Sequence, residues 1–206
     1  MKNIGGLKPC RWCVFISGRG SNLAASLEGM RESGAHEIEL VVSSAENVAG
    51  LAKAKRSGVP VMIAPKTAGG KIDWDQLTVD LKRRKIDMIF LLGFMKIVPG
   101  KFIDQWANRI LNLHPSLLPA YPGLNSIERA FVAGSELGAS VHLVVPQVDA
   151  GRVLKQRRSL EAASGNERHS MPFAIADFLV HVDEQRLVKN MVQRPYAVWT
   201  SSEGSH

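Results

Sequence analysis

Through its first two thirds the chain alternates short apolar runs with segments of helical periodicity, and no other feature limits the possible folds so tightly. Runs of strand length lie at Arg11 to Ser17, Glu37 to Ser43, Pro60 to Ala64 and Asp87 to Leu92. Between them, Leu23 to Ser33, Ala45 to Arg56 (closed by Gly58) and Trp74 to Arg84 carry apolar residues at helical spacing, and Gly69-Gly70 marks a loop. Strands separated by helices pair in parallel, because each right-handed crossover returns the chain to the same edge before the next strand starts. Beyond Gly100, a short helix to Ala107 precedes a strand that ends in His114, and a helix from Ser126 to Ala133 follows. Ala139 to Val145 and Val153 to Arg158 are two further strands joined through Asp149-Ala150-Gly151, a connection too short for a parallel crossover. The predicted fold is therefore α/β: an open, mostly parallel twisted sheet of about seven strands with helices on both faces, a Rossmann-like N-terminal half and a mixed C-terminal edge. Pro172 to Val180 is a last helix candidate. Residues 1–195 read as one domain and 196–206 as a flexible tail.

With 206 residues and 45% hydrophobic content, the chain can bury one substantial core, and no Gly/Ser- or Pro-rich linker divides it. The opening residues lack the apolar core of a signal peptide and no apolar run reaches bilayer-spanning length, so a cytoplasmic protein is expected. A formal charge of +7 fits either a nucleic-acid surface or a pocket for small anions. The basic residues are scattered without interleaved aromatics, and the cluster Lys82-Arg83-Arg84-Lys85 falls where a helix ends, which favours cations. Small-molecule substrates are expected, with no nucleic-acid or membrane partner, in a monomer or homodimer. Cys10 and Cys13 form a C-x-x-C pair with no second ligand pair and no helix start after them, so they read as ordinary thiols, one of them buried in the first strand.

Three stretches carry chemistry. Ser17-Gly18-Arg19-Gly20-Ser21-Asn22 lies between the first strand and first helix, where backbone N–H groups and a helix amino terminus stabilise an anion. Position 23 is Leu and Gly-Lys-Ser/Thr is absent, so neither a dinucleotide fingerprint nor a Walker loop fits. The turn suits one phosphate or a purely structural role, with Ser21 or Asn22 available as a helix cap. Gly93-Phe94-Met95-Lys96-Ile97-Val98-Pro99 follows a buried strand, and its apolar residues suit a slot for a flat ring system or simple core packing. In Asn112-Leu113-His114, period-two alternation places the asparagine and histidine on one face of a strand end, ahead of a loop containing Pro115, Pro119 and Pro122. Asparagine is a neutral donor for an oxyanion, histidine exchanges a proton near neutral pH, and Asp149 is a carboxylate able to hold an imidazole. Ser140 and His142 belong to the same group, although His142 at mid-strand reads as a satisfied core residue. Neither Gly-x-Ser-x-Gly nor His-Glu-x-x-His is present, so acyl chemistry here would use the substrate's own nucleophile.

In order, Gly93-Phe94-Met95-Lys96-Ile97, Asn112-Leu113-His114-Pro115-Ser116-Leu117-Leu118-Pro119, Tyr121-Pro122-Gly123, Gly138-Ala139-Ser140-Val141-His142 and Asp149-Ala150-Gly151 resemble the glycinamide ribonucleotide transformylase (phosphoribosylglycinamide formyltransferase) family, from about Val14 to Arg157. The resemblance implies transfer of a formyl group from 10-formyltetrahydrofolate, as co-substrate, to the amine of glycinamide ribonucleotide in purine biosynthesis, without a metal. It implies that Asn112, His114 and Asp149 are the catalytic trio. A protonated His114 would be a second oxyanion donor beside Asn112, and Asp149 would assist proton transfer. It further implies that Phe94, Met95, Lys96, Ile97, Val98 and Asn112 contact the folate, and that Gly18, Arg19, Gly20, Ser21 and Asn22 bind the substrate phosphate. Two departures stand out. Ala150-Gly151 replaces the family's usual glycine pair, and the segment from Asp149 to Pro172 is shorter than the family pattern by most of a helix. Glu167 matches a family glutamate that contacts the ribonucleotide, across that gap. Three alternatives share parts of the pattern: formyltetrahydrofolate hydrolases, with an added N-terminal domain; methionyl-tRNA formyltransferases, with an added C-terminal barrel; and a non-catalytic folate- or phosphate-binding module. The chain is expected to have room for neither added domain.

Overall fold

The structure, a computed structural model, describes residues 9–33, 36–159 and 184–189. Within them the elements run β1 (Cys10–Ile16), α1 (Ser21–Ser33), β2 (His36–Ser43), α2 (Ala49–Arg56), β3 (Val61–Ile63), α3 (Trp74–Arg83), β4 (Met88–Leu91), α4 (Gly100–Gln105), β5 (Ile110–His114), α5 (Ser126–Val132), β6 (Gly138–Leu143) and β7 (Val153–Arg158). The sheet order is β3-β2-β1-β4-β5-β6-β7. All pairs from β3 to β5 are parallel, and β6 and β7 are antiparallel to their neighbours. The expected parallel sheet with a mixed C-terminal edge is what forms.

Period-two alternation in the buried strands divides the core in two. Trp12, Val14 and Ile16 of β1 pack with Leu23 and Met30 of α1 and Ala54 of α2. Cys13 and Phe15 face the other way, onto Leu77 and Leu81 of α3 and Phe102 and Ile103 of α4. Leu77 and Leu81 lie four residues apart on one helical face and are fully buried, which stabilises by roughly 1.5–3 kcal/mol per side chain. A bulge in β2 keeps both faces apolar: Trp12 pairs with Ile38 and Cys13 with Leu40, so Glu39 is an extra residue, and Ile38 and Leu40 enter opposite clusters despite their even spacing. The left-over Glu39 carboxylate lies 3.0 Å from the Arg11 guanidinium.

The same alternation settles the cysteine pair. Cys10 and Cys13 enter opposite clusters as free thiols, and both are buried rather than one. Burial raises both thiol pKa values, Cys10 to about 12, with the Asp87 carboxylate adding to the effect there.

The helix expected from Ala45 begins only at Ala49. Ser43 Oγ accepts from the Ala45 amide at 3.2 Å and donates to the Ala45 carbonyl at 2.6 Å, and Asn47 is left-handed (φ 54°), so side-chain-to-backbone bonds displace the first helical turn. By contrast α3 starts where expected, because Asp73 accepts from the Gln76 amide at 2.9 Å as its N-cap, and its last turn carries Lys82 and Arg83. The helix candidate Pro172 to Val180 and the tail 196–206 lie outside the described residues. Residues 184–189 are helical and bury Leu187 and Val188 in the cluster of α1.

The turn after β1 is fixed by the start of α2. A Cβ on Gly50 would lie 2.5 Å from Ile16 Cδ1 and 2.9 Å from the Gly18 carbonyl, and one on Gly20 (φ 65°) would lie 2.7 Å from Gly50 Cα. The Gly50 amide donates to the Gly18 carbonyl at 3.1 Å, and Lys53 Nζ to the Gly20 carbonyl at 3.3 Å. Gly50→Ala is therefore expected to destabilise the protein by about 1–3 kcal/mol, the cost of overpacking a full site, read as a lower urea midpoint. An unchanged midpoint would show that the two backbones are not in contact in solution.

Candidate active site

Leu111 and Leu113 of β5, and Ala139, Val141 and Leu143 of β6, enter the cluster of α1 and α2. Asn112, His114, Ser140 and His142 consequently share the opposite face. Antiparallel register sets Asn112 beside His142 and His114 beside Ser140. Asp149, in the loop between β6 and β7 and itself left-handed (φ 51°), reaches this square of polar side chains.

Its carboxylate joins the group. Oδ2 lies 3.1 Å from His114 Nδ1 and accepts from the Gly123 amide at 2.8 Å. Oδ1 accepts from Asn112 Nδ2 at 3.2 Å and lies 3.3 Å from His142 Nε2. His142 Nδ1 lies 2.8 Å from the Leu143 carbonyl, and its Nε2 lies 3.1 Å from Asn112 Nδ2. His142 is buried, as the core reading required, but it also touches both Asn112 and Asp149.

Burial raises the pKa of Asp149, but donation by His142 and the Gly123 amide, with the charges of His114 and His142, outweighs it and holds the carboxyl at about 2. The Gly123 and Asn112 amides donate whatever the charge of either imidazole, so Asp149 is a carboxylate at neutral pH. Burial lowers the pKa of His114, more than the Tyr121 carbonyl and Asp149 raise it. This direction favours the neutral ring at rest. Both ring nitrogens nevertheless face oxygen acceptors, since Nε2 lies 2.9 Å from the Tyr121 carbonyl. Only one of them is satisfied by a neutral ring, so a proton arriving at His114 completes the second bond.

These shifts have one sign for stability. Both groups release a proton more readily when folded, so each contributes stability above its unfolded pKa that is lost on acidification. The loss begins below about pH 6.5 for His114 and runs from about pH 4 towards 2 for Asp149. Urea midpoints measured against pH should fall in both windows, and Asp149→Asn should flatten the lower one. A lower window that persists in the variant would mean other carboxylates cause it.

The loop after β5 is held from β6 and β7. Ser140 Oγ accepts from the Leu118 amide at 3.0 Å and donates to the Ser116 carbonyl at 2.6 Å, while Gln156 Nε2 donates to the Leu118 carbonyl at 2.7 Å and to Ser140 Oγ at 2.9 Å. Further on, Tyr121 (φ 54°), Gly123 (φ 79°) and Asn125 (φ 54°) are left-handed. For Tyr121 and Asn125 this costs on the order of 1–3 kcal/mol each, and such backbone persists only where its surroundings enforce it. The Tyr121 carbonyl and Gly123 amide that hold His114 and Asp149 belong to this turn. Sequence reasoning missed them because any residue supplies a backbone carbonyl or amide.

The other predicted residues flank the switch between β1 and β4, where strand order reverses and α/β sheets open a ligand crevice. The Ser17 amide donates to the Gly93 carbonyl at 3.2 Å, and the Met95 amide to Ser17 Oγ at 2.9 Å, so the two turns touch. A cavity of about 530 Å³ lies there, lined by Ser17, Ser44, Ala45, Glu46, Lys66, Met95 and Lys96. Leu91 pairs with Asn112, which brings the Gly93 turn next to the asparagine. The slot residues divide: Met95, Lys96 and Ile97 are exposed, while Val98 is buried and Phe94 packs on Phe15 and Trp74. Gly18 and Gly20 shape the first turn, Arg19 is exposed, and Ser21 opens α1. Asn22 does not stand before the helix as a cap. It is buried in the first turn, donates to Glu184 at 3.2 Å, and leaves Oδ1 without a partner among the described residues. Lys66 and Ser44 escaped the sequence analysis, since neither lies in a motif. Glu167 lies outside the described residues.

A family model described as formyl transferase matches residues 10–172. The chain belongs to the formyl transferase family. The human trifunctional purine biosynthetic protein adenosine-3 is 40% identical over 153 residues, which cover 72% of this chain and 15% of that much longer protein. The phosphoribosylglycinamide formyltransferase of Haemophilus influenzae is 37% identical over 149 residues, or 70% of each chain. The crystal structure of phosphoribosylglycinamide formyltransferase from Brucella melitensis superposes with a TM-score of 0.81 at 32% identity, covering 97% of this chain and 100% of that one. Both the formyltransferase fold and the family expected from the motifs are therefore found. Membership of the formyl transferase family implies a folate-type formyl donor and small-molecule substrates. No helix among the described residues is long and apolar enough to cross a membrane.

Proposed function

We propose that this formyl transferase moves the formyl group of 10-formyltetrahydrofolate to the primary amine of glycinamide ribonucleotide in purine biosynthesis. The observation that carries this reading is the single Asp149 carboxylate bonded to both Asn112 and His114 at one strand end. The amine lone pair attacks the formyl carbon, the carbonyl oxygen becomes an oxyanion, and a proton must leave the amine nitrogen. Collapse breaks the bond to the folate nitrogen, which receives a proton. One amide hydrogen of Asn112 is released from its internal partner to the oxyanion. His114, neutral at rest, accepts the amine proton through a water held by Asp149, donates as an imidazolium to the oxyanion while Asp149 favours that charge, and returns the proton to the leaving folate nitrogen.

The turn Gly18 to Asn22 is proposed for the ribonucleotide phosphate, and Met95, Lys96 and Ile97 for the folate. Lys66 and Lys96 at the shared cavity suit the anionic parts of the substrates. Glu167 is proposed from the motif alone as a ribonucleotide contact. Purified protein mixed with both substrates should produce the absorbance of deformylated folate. Tight folate binding with no product from any primary amine would sink the reading in favour of a binding module.

A further inference from the structure

Arg129 on α5 is exposed, yet its guanidinium is committed to the backbone. Nη1 donates to the Pro122 carbonyl at 2.6 Å and faces the Leu124 carbonyl at 3.3 Å, and the cation lies 5.6 Å from the centre of the Tyr121 ring. The two carbonyls alternate with the three left-handed residues Tyr121, Gly123 and Asn125, so one side chain gathers a turn the backbone alone disfavours. A second tie, between the Tyr121 hydroxyl and Ser135 Oγ, fixes the same ring.

We propose that Arg129 is a positioning residue for the reaction: it clamps the turn so that the Tyr121 carbonyl and Gly123 amide hold His114 and Asp149 at their working separation. The proposal rests on the formyl-transfer reading for its catalytic consequence but not for the clamp itself. Each link is a short contact: Arg129 to Pro122, Gly123 to Asp149 at 2.8 Å, and Tyr121 to His114 at 2.9 Å. Arginine suits the task because one nitrogen of its planar, charged group reaches both carbonyls while the delocalised cation lies near a ring, whereas lysine offers a point charge. The charged and titratable groups acting on His114 are Asp149, His142 and Arg129 itself, so the side chain bears on the imidazole through charge as well as through the turn.

The test compares Arg129→Ala, Arg129→Lys and wild type in steady-state kinetics and in amide hydrogen exchange, with thermal melts confirming that each is folded. Arg129→Ala is expected to lower kcat roughly ten- to hundredfold, the scale of a small misplacement of reacting groups, with KM for either substrate within about threefold. Its Gly123 amide should exchange at least about tenfold faster while Leu113 and Val141 in the sheet stay protected. Arg129→Lys should recover part of both. Unchanged Gly123 exchange in Arg129→Ala overturns the clamp, and faster exchange with unchanged kcat, or a loss confined to KM, overturns the positioning role. If wild type transfers no formyl group, the functional reading fails and Gly123 exchange still decides the clamp.

Discussion

Asp149→Asn is expected to lower turnover by roughly 10³- to 10⁴-fold, the scale found when a carboxylate that orients a catalytic histidine becomes an amide. The substitution is nearly isosteric, so the loss comes from hydrogen-bond polarity and charge. Both oxygens of Asp149 accept, Oδ2 from the Gly123 amide and Oδ1 from Asn112. An asparagine has one oxygen for these two donors and turns an N–H group against the other. The imidazolium also loses the charge that favours it. Single-turnover measurements at saturating substrates isolate this step from binding. Turnover within tenfold of wild type would show that Asp149 neither orients His114 nor assists the proton.

His114→Ala should lower turnover by about 10²- to 10³-fold, the loss typical of one oxyanion donor, and leave folate affinity nearly intact. The wild-type pH profile supplies a second check. His114 begins neutral with a lowered pKa, so kcat should decline on the acid side only below about pH 6.5, as the ring is protonated before the amine attacks. The variant should lack that limb. Retained activity within tenfold, or an unaltered acid limb, would assign the proton chemistry elsewhere.

Element type was readable along most of the chain because the alternation is strong. Each apolar run became a strand in the expected place, and helix starts were found where a side-chain cap such as Asp73 marks them. Ser43 to Asn47 went wrong because helix-compatible residues there are captured by local hydrogen bonds that periodicity does not encode. The bulge at Glu39 was equally invisible, since it shows only when two strands are laid side by side.

The site was partly readable for a similar reason. Asn112 and His114 stand on one strand, where spacing fixes their common face, and Asp149 came from the motif order. The coupling to His142 depends on the β5–β6 register, which no local pattern specifies. The support from Tyr121, Gly123 and Arg129 passes through backbone atoms, so residue type could not announce it.

The contact between Gly20 and Gly50 has a consequence for engineering. At 2.7 Å from a would-be Cβ to the facing Cα there is no slack, and the second βα unit serves as a template for the turn Ser17 to Asn22 of the first. Transplanting residues 17–22 into a different α/β scaffold should therefore reproduce their shape only when the recipient also carries a glycine opposite, at the head of the adjacent helix.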